Sequence, residues 1–146
     1  MRSAAFTTCI VFGCLAVALS AQTTRTVKDG VFSAVQAERG AALYKDKCAH
    51  CHNPDLSGGI VGTGGGFEQG GPSLAGQEAL DYWKNKTVAE MVEKIEITMP
   101  GDFPGMLNRQ QATDLFAFIL RQNKFPAGPN DLPMDPGVLK SITIIQ

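Results

Sequence analysis

Two cysteines and a histidine fall within five residues, Cys48-Ala49-His50-Cys51-His52. Two thiols two residues apart can add across the two vinyl groups of one haem. A histidine directly after the second thiol leaves the same turn and can ligate the iron from below. The segment therefore reads as a covalent haem attachment site of the c type, with Cys48 and Cys51 as thioether residues and His52 as proximal ligand. Two other chemistries use the same cysteine spacing. A structural zinc site needs a second ligand pair, and the remaining cysteines, Cys9 and Cys14, lie in an apolar N-terminal run. A thioredoxin-type dithiol belongs at a strand-to-helix junction, and no strand pattern precedes Cys48.

A haem that only moves electrons is best held by six ligands, because its geometry then barely changes with oxidation state. A methionine sulfur is a soft ligand that favours iron(II) and raises the potential. Beyond Met1 the chain offers Met91, Met99, Met106 and Met134. Methionines are ordinarily core filler, which suits Met91 on an apolar helix stripe, and Met134 lies in a proline-rich tail. Met99 stands before Pro100 at a helix end, where a loop can present its side chain to the iron. Met106, in Pro104-Gly105-Met106, is the runner-up. His50 lies between the two cysteines and points away from the iron, so bis-histidine ligation within the chain is not expected. Trp83 and Tyr82 are candidate donors to a haem propionate, with core packing the competing role for the tryptophan. Arg109 could neutralise a propionate or simply stand exposed at a helix start.

The elements that would position these residues are helical. Ser33 can cap a helix over 33–47, with Gln36 three residues on as its capping-box partner. Gly40, Leu43, Tyr44 and Lys47 share one side of it. A glycine inside a helix costs about 1 kcal/mol relative to alanine, so something should press close against Gly40. Thr87 and Glu90 open a second helix whose stripe is Val88, Met91, Val92 and Ile95. Met99-Pro100 ends it, since proline lacks the N–H and disfavours helix in the residue before it. Asn108 and Gln111 open a third, with Ala112, Leu115, Phe116 and Ile119 as its stripe and Phe118 at the edge. Between these lies a glycine-rich loop over 53–72, which carries no phosphate-binding pattern. Residues 22–32 read as a loose lead-in and 124–146 as an extended proline-rich tail, of which 138–145 is apolar enough to dock. No strand of useful length is evident. The fold class expected is all-α, about three to five helices around one covalent haem, with the domain proper over 33–123.

The 146 residues favour one domain. Arg2 is followed by an almost wholly apolar stretch, 4–19, and by small residues, which reads as a secretory signal peptide over 1–21, cleaved after Ser20 or Ala21. The apolar run is short for a membrane span of about 20 residues, so a retained anchor is the lesser reading and no stable membrane insertion is expected. Cleavage would remove Cys9, Cys14 and Arg2, leaving 12 basic against 14 acidic residues, a net charge of −2. No basic patch argues for nucleic acid.

Five features in order resemble a class I cytochrome c over 37–123. They are Gly40 with Tyr44, the haem motif itself, Gly71-Pro72-Ser73-Leu74-Ala75-Gly76, Thr98-Met99-Pro100, and Asp114-Leu115-Phe116-Ala117-Phe118-Ile119-Leu120. The resemblance implies the cytochrome c fold, one covalent haem c, and electron transfer. It implies that Gly40 packs on Phe118, that the carbonyl of Pro72 accepts a hydrogen bond from His52, and that Met99 is the distal ligand. It also implies attachment of the haem outside the cytoplasm, hence a periplasmic protein. Partners are then redox proteins: a dehydrogenase as donor, an oxidase or another cytochrome as acceptor. The Thr-Met-Pro segment and Asn123-Lys124-Phe125-Pro126-Ala127-Gly128 resemble single-haem domains that accompany quinoprotein dehydrogenases. The glycine-rich loop and the tail depart from the minimal pattern. The alternative is a haem enzyme or gas-binding cytochrome with an open iron site, against which Met99 and the single motif argue.

Overall fold

A computed structural model describes residues 25–59 and 70–146. The expected leader with its cleavage position, and 60–69 of the glycine-rich loop, lie outside the described residues. The chain order is β1 (Arg25–Thr26), α1 (Ala34–Lys47), α2 (Ala49–His52), α3 (Gln77–Trp83), α4 (Val88–Thr98), α5 (Arg109–Gln122), α6 (Pro136–Lys140) and β2 (Ile142–Thr143). The fold is all-α, as expected, and the two strands have two residues each.

The three long helices begin where their caps predict. Thr87 and Glu90 form a reciprocal box, the Thr87 N–H donating to the Glu90 carboxylate at 2.7 Å. Asn108 and Gln111 do the same, at 3.0 and 2.9 Å. Ser33 accepts from the Gln36 N–H at 2.9 Å, but the expected box is not completed. Gln36 is fully buried and turns its amide to the tail instead. It donates to the Leu132 carbonyl at 3.1 Å and accepts from the Leu132 N–H at 2.6 Å. The reason is satisfaction: those backbone groups lie in the interior and would otherwise lack partners.

Helices α1 and α5 cross at Gly40. A Cβ there would stand 2.6 Å from the Asp114 carbonyl carbon and 2.9 Å from Phe118 Cβ. The glycine therefore permits an approach that no other residue allows, with Phe118 as the expected neighbour. One turn on, Tyr44 packs on Phe118 with ring centroids 5.1 Å apart. Helix α5 is buried on all sides from Ala112 to Leu120, rather than along a single stripe. A helix buried all round is the central element of its domain. Here α1 covers one side and α4 another. Asp114, buried among these, is held by a two-pronged pair with Arg39 at 2.9 and 3.0 Å and by Gln110 at 2.8 Å.

The flanking segments differ from expectation. Lead-in residues Val27, Val31 and Phe32 are buried, as are tail residues Leu132, Leu139, Ile142 and Ile144. β1 pairs with β2 in parallel, Arg25 opposite Ile142. Gly128 donates to the Phe32 carbonyl at 2.7 Å, and a Cβ on Gly30 would lie 3.1 Å from Gly128 Cα. The tail is thus not a free extended arm: it contains α6 and is wrapped on the helices. Its apolar end docks, as its composition suggested. Asp131 accepts a hydrogen bond from the Ser33 hydroxyl and forms an ion pair with Arg39, and both hold its carboxyl below the usual range. Among the described residues, no helix is long and apolar enough to cross a membrane.

Candidate haem site

Tyr44 and the chain that leaves α1 set the geometry of the motif. α1 ends at Lys47, and Cys48 donates its N–H to the Tyr44 carbonyl at 2.9 Å. The next turn is α2, with His52 N–H on the Cys48 carbonyl at 3.0 Å. One short turn therefore carries Cys48, Cys51 and His52. Both thiols are free, Cys51 exposed and Cys48 half-buried. Burial, with Cys51 as a lesser influence, pushes the Cys48 thiol up to about 11. A redox dithiol needs the opposite shift. Among the described residues, no three His, Cys, Asp or Glu side chains converge as a metal cluster, and none of them gives the motif the second ligand pair that a structural zinc site uses.

His52 is 7% exposed, and its ring is fixed from two sides. Its Nδ1 lies 2.8 Å from the Pro72 carbonyl oxygen. A carbonyl can only accept, so Nδ1 carries the proton and Nε2 keeps the lone pair a metal needs. The ring also lies against Gly71, where a Cβ would come within 2.5 Å of Nδ1 and 2.8 Å of Nε2. Gly71 and Pro72 reach this place through a ladder: Gly71 N–H to the Cys51 carbonyl at 2.7 Å, Gly59 N–H to the Gly71 carbonyl at 2.9 Å, and Leu74 N–H to the Leu56 carbonyl at 2.9 Å. The exit of α2 is fastened by the Tyr44 hydroxyl, which donates to the Asn53 carbonyl at 2.7 Å and approaches the His52 carbonyl at 3.3 Å. Burial holds that phenol's pKa well above its ordinary value.

The other expected site residues fall as follows. Met99 caps the C-terminus of α4 in an extended conformation and packs, partly buried, on the core. Met106 is 50% exposed. Met91 is buried as core, and Met134 is exposed. His50 is exposed. Trp83 is buried edge-to-face on Phe116 at 6.2 Å, a packing role. Tyr82 is exposed with Lys86 over its ring. Arg109 pairs with Glu96 at 2.5 Å. Sequence reasoning did not single out Tyr44 as a hydrogen-bond donor or Gly71 as the floor of the histidine. The aromatic and the glycine were visible, but their partners lie 8 and 19 residues away.

These residues fit a haem: two unpaired thiols on one turn, and an imidazole whose tautomer leaves Nε2 for iron. The family described as Cytochrome C oxidase, cbb3-type, subunit III matches residues 35–119. A cytochrome c of Chlamydomonas reinhardtii is 30% identical over 97 residues, covering 56% of this chain and 84% of that protein. No solved structure matches the chain. The chain belongs to the cytochrome c family. Its cofactor is a covalently bound c-type haem, for which Cys48 and Cys51 are positioned, and its chemistry is haem-based electron transfer.

Proposed function

We propose that this chain is an exported, periplasmic single-haem electron carrier with His52 and Met99 as axial ligands. The observation that carries the reading is the His52 Nδ1 to Pro72 carbonyl contact of 2.8 Å. It fixes the ring and leaves Nε2 for the metal, and a hydrogen bond on the far nitrogen makes the imidazole a stronger donor. When bound, the haem supplies a one-electron iron(II)/iron(III) couple. The polypeptide contributes the rest. Cys48 and Cys51 tether, His52 ligates, and the buried faces of α4 and α5 keep the surroundings dry. Met99 is preferred to Met106 because it is partly buried against the core at a helix end, whereas Met106 is half exposed. Trp83, whose ring packs on Phe116, is kept as a candidate to give its indole N–H to a propionate.

The partner class follows from the same reading. We infer a dehydrogenase donor, with a quinoprotein the specific suggestion of 123–128, and an oxidase or second cytochrome as acceptor. The matching family is named for an oxidase subunit, which supports electron delivery toward an oxidase. Two readings are separated by one experiment: the full chain is expressed with c-type maturation, fractionated, reduced and exposed to carbon monoxide. A carrier with two axial ligands appears in the periplasmic fraction and shows little spectral change. Rapid, stoichiometric carbon monoxide binding contradicts it and favours a gas-binding or catalytic haem.

A further inference from the structure

On the proposed ligation the segment between α4 and α5 presents the distal methionine; Met99 and Leu107 at its ends pack on the core, but little holds the stretch between them. Residues 101–106 are all exposed, Phe103 at 65%. The segment's ends are tied to the helices, Met99 N–H on the Ile95 carbonyl and Asn108 N–H on the Gln111 side chain, but the backbone N–H groups of 101–106 that are bonded stay local: Phe103 N–H on the Pro100 carbonyl at 3.0 Å and Met106 N–H on the Phe103 carbonyl at 3.4 Å. Across its base stands one ion pair. Arg109, the first residue of α5, places Nε 2.5 Å from Oε2 of Glu96, in the last turn of α4. Both side chains are mostly covered, at 29% and 25% exposure. Glu96 Oε2 itself is fully buried and makes no aligned hydrogen bond. A buried carboxylate oxygen without such a bond is costly unless a charge compensates it, and Arg109 supplies that charge from the other end of the segment.

We propose that Glu96 and Arg109 are positioning residues that clamp the two ends of the ligand-bearing segment and so keep its methionine on the haem iron. The inference rests on the proposed distal ligation from this segment, by Met99 or Met106. It assigns Arg109 to the clamp rather than to a propionate. Loss of the clamp raises the fraction of molecules with the methionine off the iron. An added ligand then binds more tightly by that same factor.

The test is titration of the oxidised holoprotein with imidazole, read from the haem spectrum. Ion pairs with this much solvent contact couple modestly, so Arg109→Gln and Glu96→Gln should each raise the apparent imidazole affinity about two- to fivefold. The charge-reversed double variant, Glu96→Arg with Arg109→Glu, should return most of the way to wild type. Arg121→Gln is the control. Its pair with Glu38 also joins α5 to another helix, at 2.5 Å, but lies away from the segment, and its loss should leave imidazole affinity unchanged. If Arg109→Gln and Glu96→Gln both behave like Arg121→Gln, the clamp is refuted. If Arg109→Gln yields no holoprotein, Glu96→Gln and the reversed pair decide alone. Met99→Ala and Met106→Ala are titrated alongside. If neither changes imidazole affinity, the distal-ligand reading falls and the clamp with it. If one does and the clamp variants do not, only the clamp falls.

Discussion

At the residue scale, the site is built by groups that have little freedom. His52 cannot rotate without leaving the Pro72 carbonyl or striking Gly71. Gly71→Ala tests this directly. Its Cβ must displace the ring, so the holoprotein should lose about 1–3 kcal/mol, the usual cost of overpacking. The potential should also rise, because an imidazole that loses its hydrogen bond is a weaker donor to iron(III). Denaturant melts and a spectroelectrochemical titration check the two parts, and an unchanged ring environment would leave both values at wild type. The residue chemistry was the most legible part of the sequence. Cysteine and histidine spacing encodes itself within five residues. The contact between His52 and Pro72 came from family resemblance, and no local pattern points to it.

At the element scale, the crossing of α1 and α5 sets the distance between the N-terminal and central helices. Gly40→Val should cost about 1–3 kcal/mol or more, since a branched side chain meets backbone of Asp114 that has nowhere to move. Val35→Ala, on the same helix but 67% exposed, should stay within about 0.5 kcal/mol of wild type. Thermal and urea melts of the two holoproteins compare them. A Gly40→Val protein that melts with wild type would misplace the crossing. Helices with strong caps were read to within a residue at their starts, because Thr87 with Glu90 and Asn108 with Gln111 each satisfy two orphan groups locally. α3 was not foreseen as a helix. It has seven residues and Gly76 as its cap, with no side-chain hydrogen bond, and takes its stability from Ala79 and Trp83 in the core.

At the scale of the whole molecule, the flanking segments close the fold. The apolar end of the tail was legible, but its destination was not. A parallel pairing of residues 25–26 with 142–143 spans most of the chain and leaves no periodic signal. Gln36 illustrates the difficulty. A glutamine three residues after a serine looks like a cap partner, and only the assembled molecule shows it gripping Leu132. Gln36→Leu should therefore cost about 1–3 kcal/mol, the desolvation cost of buried groups left unpaired. Hydrogen exchange should show the Leu132 amide losing protection before the amides of α5, and uniform loss across both would contradict the strap. The central claim is that this molecule carries electrons on a haem closed by His52 and Met99. Proton NMR of the reduced holoprotein tests it most directly. A methionine on iron places its methyl signal far upfield. That signal should be present in wild type and in Met106→Ala and absent in Met99→Ala, with a lower potential in the last because the soft sulfur no longer favours iron(II). A signal that survives Met99→Ala, or is missing from wild type, contradicts the account.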